Sequence, residues 1–304
     1  MRLSFVGDLP GRLAACRGRF SIGLSRDVPA GQVASASKGL HSTVRFIFQP
    51  AEEWGEGALA MIADGLIERF PFEEIYGLHN MPGLPVGHLE TRAGPMMSAE
   101  DNFEISLKGV GGHAARPHWG KEVLVAACAT VMNLQTIVSR RLSPNDIGVV
   151  SVTELITDGT RNVLPGLARI LGDARSFRPE ISAEIEKQMR MIAEGTGHTY
   201  GVAVEVNYTH EFVPLLNDPF LVDEAFVAAR TVFDHEHVAT AREPMTGSED
   251  FARFLEHVPG CFVFVGNGER SAPLHNPSYD FNDKGLLHGA HLHAAIVRQR
   301  LPLK

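Results

Sequence analysis

Gln49-Pro50-Ala51-Glu52-Glu53 places two adjacent carboxylates just past a short β-rich apolar run at 44–48. In an open α/β sheet, ligands bind in the crevice beyond the carboxyl ends of the strands, so a carboxylate pair there is well placed for chemistry. Side chains of neighbouring residues usually diverge, so one carboxylate can bind a metal while the other faces a water. A solvated acidic loop is the competing reading. His79 stands just beyond a second brief strand, 75–78, in Gly77-Leu78-His79-Asn80. His275 lies in Pro273-Leu274-His275-Asn276-Pro277, ten residues past a third run at 261–265. Each histidine alone would be an ordinary packed or exposed residue. Together, Glu53, His79 and His275 come from three strand-end loops of one expected sheet and offer oxygen and imidazole donors suited to Zn2+ or Mn2+.

A second group of candidates lies mid-chain. In Gly111-Gly112-His113-Ala114-Ala115-Arg116-Pro117-His118 the glycines fit a tight turn after a strand at 103–108. The glycines at 109, 111 and 112 match a nucleotide fingerprint weakly, and no acidic residue follows on a second parallel strand, which excludes a Rossmann site. His113 can act as a hydrogen-bond donor toward an active site, whereas His118 reads as structural. Asn162 and Arg175 are polar groups of the same region, and a guanidinium is a natural fork for a substrate carboxylate. Taken alone, both would be ordinary surface residues. His288, His291 and His293 read as surface or packing residues of a final helix, and 234–237 as an exposed connection. The sequon at Asn207 falls in an expected strand, where no modification is expected.

The elements that must position these groups follow from periodicity. A strand at 44–48, a helix at 58–67 and a strand at 75–78 begin an α/β layered domain. From Asn102 the order becomes strand 103–108, helix 122–140, strands 148–155 and 168–174, helix 181–194 and strand 202–208, the β-α-β-β-α-β of a ferredoxin-like unit. Helices at 220–233 and 248–257, a strand at 261–265 and a helix at 285–300 return to α/β character. The reading is a two-domain α/β protein: 1–97 and 214–304 form one α/β/α domain, interrupted by an inserted ferredoxin-like domain at 98–213. Residues 1–37 show no sustained periodicity and read as a poorly ordered leader, with ordered structure expected from about Thr43.

Composition limits the partners. The 304 residues are 44% hydrophobic and 21% charged, a globular balance at a length suited to about two domains. A net charge of −8 with no cluster of Lys and Arg argues against nucleic acid and anionic membranes, leaving a small molecule or a cation. No run of about twenty apolar residues suggests a membrane span. Three cysteines, at 16, 128 and 261, make no disulfide framework, so a reducing, cytoplasmic compartment is expected.

The strings FIFQPAEE, GLHN, GPMMSAEDNFEI, KGVGGHAARPH, TRNVLP, GSEDF and PLHNPSYDFND run in order from about Thr43 to the end of the chain. At these residues the sequence resembles the M20 metallopeptidase family, in its amidohydrolase branch of hippurate hydrolases, N-acyl-amino-acid amidohydrolases and auxin-conjugate hydrolases. The resemblance implies a hydrolase with two metal ions per subunit that cleaves the amide between an acyl group and an amino acid. By motif position, Glu52 resembles the general base that takes a proton from the attacking water, and Glu53, His79 and His275 resemble metal ligands. His113 resembles the histidine that stabilises the developing oxyanion, often supplied by a dimer partner, and Asn162 and Arg175 match positions that hold the substrate's carboxylate end. The inserted domain is where relatives dimerise, so a homodimer is implied. One segment departs from the pattern. Relatives carry a His-x-Cys-Gly-His-Asp-x-His type segment upstream, whereas Arg17-Gly18-Arg19 follows Cys16 here and no histidine precedes His41. The expectation from that departure is a gene truncated or altered in frame at its start. The alternative function is an inactive remnant that binds a carboxylate or a metal.

Overall fold

The computed structural model describes residues 43–301 and the backbone of one earlier strand, β1 (Arg2–Asp8). Two compact units emerge: 1–96, 215–245 and 249–304 form the first, and 97–214 with 246–248 form the second.

The first unit is built on a six-stranded sheet. Its strands are β1, β2 (Thr43–Gln49), β3 (Glu74–Pro82), β4 (Leu89–Glu90), β14 (Gly260–Gly268) and β13 (Val238–Ala239), in the order β13-β4-β14-β3-β1-β2. Strands β2, β1, β3 and β14 run parallel, and β4 is antiparallel to β14, while β5 (Gly94–Met97) and β12 (Leu215–Asn217) form a separate two-stranded pair. The run Cys261 to Val265 is buried throughout, as a parallel strand covered on both faces requires. Cys261, Val263 and Val265 face a cluster with α5 (Pro219–Ala229) and α7 (Lys284–Arg300). Phe262 packs against Phe251 at 5.1 Å between ring centroids. This α/β layering is the expected class.

Three local differences from the sequence reading have physical causes. The expected helix at 58–67 divides into α1 (Gly57–Ala63) and α2 (Leu66–Arg69), because Gly65 takes a left-handed conformation (φ 83°) that ends the first helix. The expected helix at 248–257 shrinks to α6 (Ala252–Leu255), approached by tight i to i+3 turns from Glu249 and Asp250, and the Asp250 carboxylate is bonded to Gln49 and Ala58. The expected poorly ordered leader is corrected at its start. Strand β1 pairs with β2 along its length and with β3 over Leu3 to Phe5, and this two-sided ladder outweighs a weak local pattern. Cys16, the Arg17-Gly18-Arg19 departure and His41 lie outside the described residues.

The second unit is a four-stranded antiparallel sheet of β6 (Ala99–Lys108), β8 (Gly148–Thr157), β10 (Leu167–Ser176) and β11 (Ala203–Phe212), ordered β11-β6-β10-β8. With α3 (Val123–Thr136) after β6 and α4 (Pro179–Tyr200) after β10, the chain order is the expected β-α-β-β-α-β. Helix α3 and its π-turn continuation Ile137–Arg141 are together long and apolar enough to cross a membrane by length and composition. Its Val123, Ala126, Ala127, Leu134 and Ile137 are instead buried in the core of this unit.

Candidate functional site

The paired glutamates sit on a loop closed at both ends. Gln49 ends β2 and is buried. Ala51 is left-handed (φ 48°), Glu52–Trp54 makes one 3-10 turn, and Gly55 (φ 66°) donates its N–H to the Glu52 carbonyl at 2.7 Å. The loop returns so tightly that a Cβ on Gly57 would lie 1.6 Å from the Pro50 carbonyl oxygen, so only glycine fits there. This turn separates the two carboxylates, leaving Glu52 5% exposed and the Glu53 side chain 36% exposed. Asp250, buried to 1% exposure, accepts hydrogen bonds from the Gln49 side-chain amide and from the Ala58 N–H at 2.9 Å. Glu52, Glu249 and Asp250 form the one trio of potential metal-ligating groups among the described residues whose ligand atoms all lie within 4.8 Å of one another.

His275, on the loop after β14, brings Nε2 to 3.8 Å from Glu53 Oε2. That gap is too long for a hydrogen bond, and it is less than the sum of about 4.2 Å for one metal–nitrogen and one metal–oxygen bond. Glu53 and His275 therefore have the chemistry and the spacing to share a divalent ion. His275 is itself left-handed (φ 63°). Asn267 anchors its loop, donating to the Asp280 carbonyl at 3.1 Å and accepting from the Asn282 N–H at 2.8 Å.

His79 lies within β3, paired with Phe264 of β14, because the strand runs four residues past the expected end at 78. Its Nδ1 is 2.5 Å from the Asn80 carbonyl, a contact that leaves the lone pair on Nε2. Buried Asn80 donates to the Tyr279 hydroxyl, which ties the residue after His79 to the loop of His275. Burial raises the Tyr279 pKa, partly offset by that bond. His79 does not join Glu53 and His275 in a trio as tight as that of Glu52, Glu249 and Asp250.

In the second unit, β7 (Gly112–His113) pairs with β9 (Val163–Leu164), and Ala114 N–H donates to the Asn162 carbonyl at 3.0 Å, so His113 and Asn162 are neighbours. Ala115 N–H donates to His113 Nδ1 at 3.1 Å, so the neutral ring carries its proton on Nε2. His118 is exposed and edge-on to Trp119. Arg175 is already engaged: Nε donates to Asp173 at 2.8 Å, and Nη1 to Ser248 at 2.7 Å and Glu100 at 2.8 Å. Burial opposes its charge, and the bonds to Asp173 and Glu100 overcome that and raise its pKa. Among the described residues, Nη2 is the part of the guanidinium that makes no hydrogen bond.

Sequence reasoning assigned no role to Glu249, Asp250, Asn80 or Tyr279, although all four lie in the motif strings. Their signal is burial of polar groups, which no local pattern reveals.

A layered α/β sheet unit interrupted by a β-α-β-β-α-β unit, with carboxylates and imidazoles gathered at strand ends, defines the class of protein. The chain belongs to peptidase family M20/M25/M40, whose profile matches residues 31–299. It is 36% identical over 249 residues to an N-acetylcysteine deacetylase of Bacillus subtilis, aligning with 81% of this chain and 63% of that protein. It is 32% identical over 266 residues to the hippurate hydrolase of Campylobacter jejuni, covering 88% of this chain and 69% of the relative. The crystal structure of a dinuclear metal-binding peptidase of the M20 family from Bacillus subtilis superposes with a TM-score of 0.78 at 25% identity, covering all of this chain and 82% of the other. The chain thus spans less than two thirds of the length of the first of these relatives.

Proposed function

We propose that the chain is a metal-dependent amidohydrolase acting on small N-acyl amino acids, of the kind its deacetylase and hippurate hydrolase relatives are named for. The observation that carries this reading is the approach of Glu53 to His275 at 3.8 Å beside a buried Glu52. Glu53 and His275 would hold one divalent ion, Mn2+ or Zn2+, and His79, outside that close pair, would serve a second. Such an ion supplies Lewis acidity and makes a water acidic enough to be deprotonated near neutral pH. Glu52 then takes a proton from the attacking water and returns it to the leaving amine. His113, with its proton on Nε2, donates toward the oxygen that gains negative charge. Asn162 and Arg175 hold the substrate's carboxylate end, and Arg175 does so through Nη2, since Nε and Nη1 are committed.

Two further parts of the reading concern partners and compartment. Among the described residues strand β8 has one sheet neighbour, and it carries a single charged residue, Glu154, with Val149, Leu155 and Ile156 exposed. Edge strands left alone in water are usually blunted by charge or proline, so this one is suited to pairing with a second copy in a homodimer. Free thiols at Cys128 and Cys261 support a reducing, cytoplasmic setting.

The test is release of free amino acid from N-acetyl-L-cysteine and hippurate with Mn2+ or Zn2+ present. Turnover of either supports the reading. A second reading, favoured by Arg17-Gly18-Arg19 after Cys16, is a binding protein without turnover. Metal binding with no hydrolysis of any N-acyl amino acid would establish it.

A further inference from the structure

The loop that carries Glu52 and Glu53 has its two ends tied by a residue far away in sequence. Gln49 lies at the end of β2 and Ala58 lies in the first turn of α1, so they bracket the loop. One carboxylate reaches both. Asp250 Oδ1 accepts from the Gln49 amide and Oδ2 accepts from the Ala58 N–H at 2.9 Å, and all three residues are buried. Between these ties the backbone passes through two left-handed residues, Ala51 and Gly55. A left-handed alanine costs of order 1 kcal/mol and persists only when its surroundings over-determine it. The closure at Pro50 and Gly57 leaves no room even for a methyl group. Holding both ends of such a loop opposes its opening, and two buried hydrogen bonds to one shared side chain do so.

We propose that Asp250 is a positioning residue. Its two hydrogen bonds clamp the loop so that Glu52 stays buried and Glu53 stays turned toward His275. The inference rests on the proposed roles of Glu52 and Glu53, but the clamp can be read without catalysis. Asp250→Ala removes both bonds. Asp250→Asn keeps both once the Gln49 amide rotates by half a turn, because the new amide donates to Gln49 and its oxygen still accepts from Ala58. The pair of variants therefore separates the bonds from the charge.

Hydrogen–deuterium exchange of the metal-free full-length protein reads loop order directly. The expected result is exchange at 50–58 at least about tenfold faster in Asp250→Ala, with β3 and β14 within about twofold of wild type and Asp250→Asn within about threefold throughout. Mn2+ titration should follow the same order, with affinity weakened in Asp250→Ala and kept in Asp250→Asn. If Asp250→Ala does not fold, Gln49→Leu, which removes one of the two ties, takes its place with the same expectation. Unchanged exchange at 50–58, a uniform rise across the sheet, or an Asp250→Asn variant as loose as Asp250→Ala would overturn the proposal. Absence of Mn2+ binding or of hydrolysis in the wild type would instead defeat the functional reading and leave the exchange result standing.

Discussion

The chemistry proposed for this chain turns on how one backbone turn treats two adjacent glutamates. Glu52 is buried beside Glu249 and Asp250, while the Glu53 side chain is about one-third exposed and lies 3.8 Å from His275. Their functions should therefore separate on mutation. Glu52→Gln is expected to retain metal content while kcat falls by about 10²–10⁴, the range for removing a general acid–base group. Metal analysis beside steady-state kinetics checks this, and loss of the metal would show Glu52 to be a ligand instead. At this scale the sequence revealed the residue types and their placement near strand ends. It could not reveal that Arg175 is already bonded to Asp173, Glu100 and Ser248, because those partners come from three different segments. If Arg175 holds the substrate's carboxylate as proposed, Arg175→Lys is expected to raise KM for N-acyl amino acids more than it lowers kcat, since an ammonium cannot keep the fork in which Nε and Nη1 are bonded and Nη2 is left over.

At the scale of elements, two positions link local structure to stability. Gly57→Ala would drive a methyl group into the Pro50 carbonyl, so the loop must open or the helix shift. A loss of about 1–3 kcal/mol in urea unfolding is expected, typical of overpacking. His293 on α7 is buried, and burial pushes its pKa down from 6.5 to about 3. The folded state thus disfavours the protonated ring. Stability is fully present above the unfolded pKa and is lost as pH falls from about 6.5 toward 3, at about 1.4 kcal/mol per pH unit from this group. His293→Leu should flatten that slope in denaturant titrations between pH 6.5 and 4.5, and an unchanged slope would exclude His293 as its source. Element order was largely legible because apolar runs and helical periodicity match burial, as in β14 and α4. The short α6 was not, because Asp250 is committed to Gln49 and Ala58, a tertiary demand that periodicity does not encode. The strand Arg2–Asp8 escaped notice for a related reason, since its support comes from ladders on two neighbours.

For the whole molecule, the interrupted α/β chain was readable from the change in element order near Asn102 and the return after Pro214. A homodimer is implied only by the family resemblance, and the surface proposed for it is the edge of β8. Replacing Val149 and Ile156 of β8 by lysine is expected to convert a dimer to a monomer in analytical ultracentrifugation without unfolding, because both side chains are exposed in the single chain. The central claim is that Glu53 and His275 hold a divalent ion that serves amide hydrolysis. It is tested most directly by metal content per chain measured on the same samples as hippurate and N-acetyl-L-cysteine hydrolysis, for wild type, Glu53→Ala and His275→Ala. Bound ion and turnover are expected in the wild type, with both lost together in each variant. Turnover that persists in variants stripped of metal would contradict it.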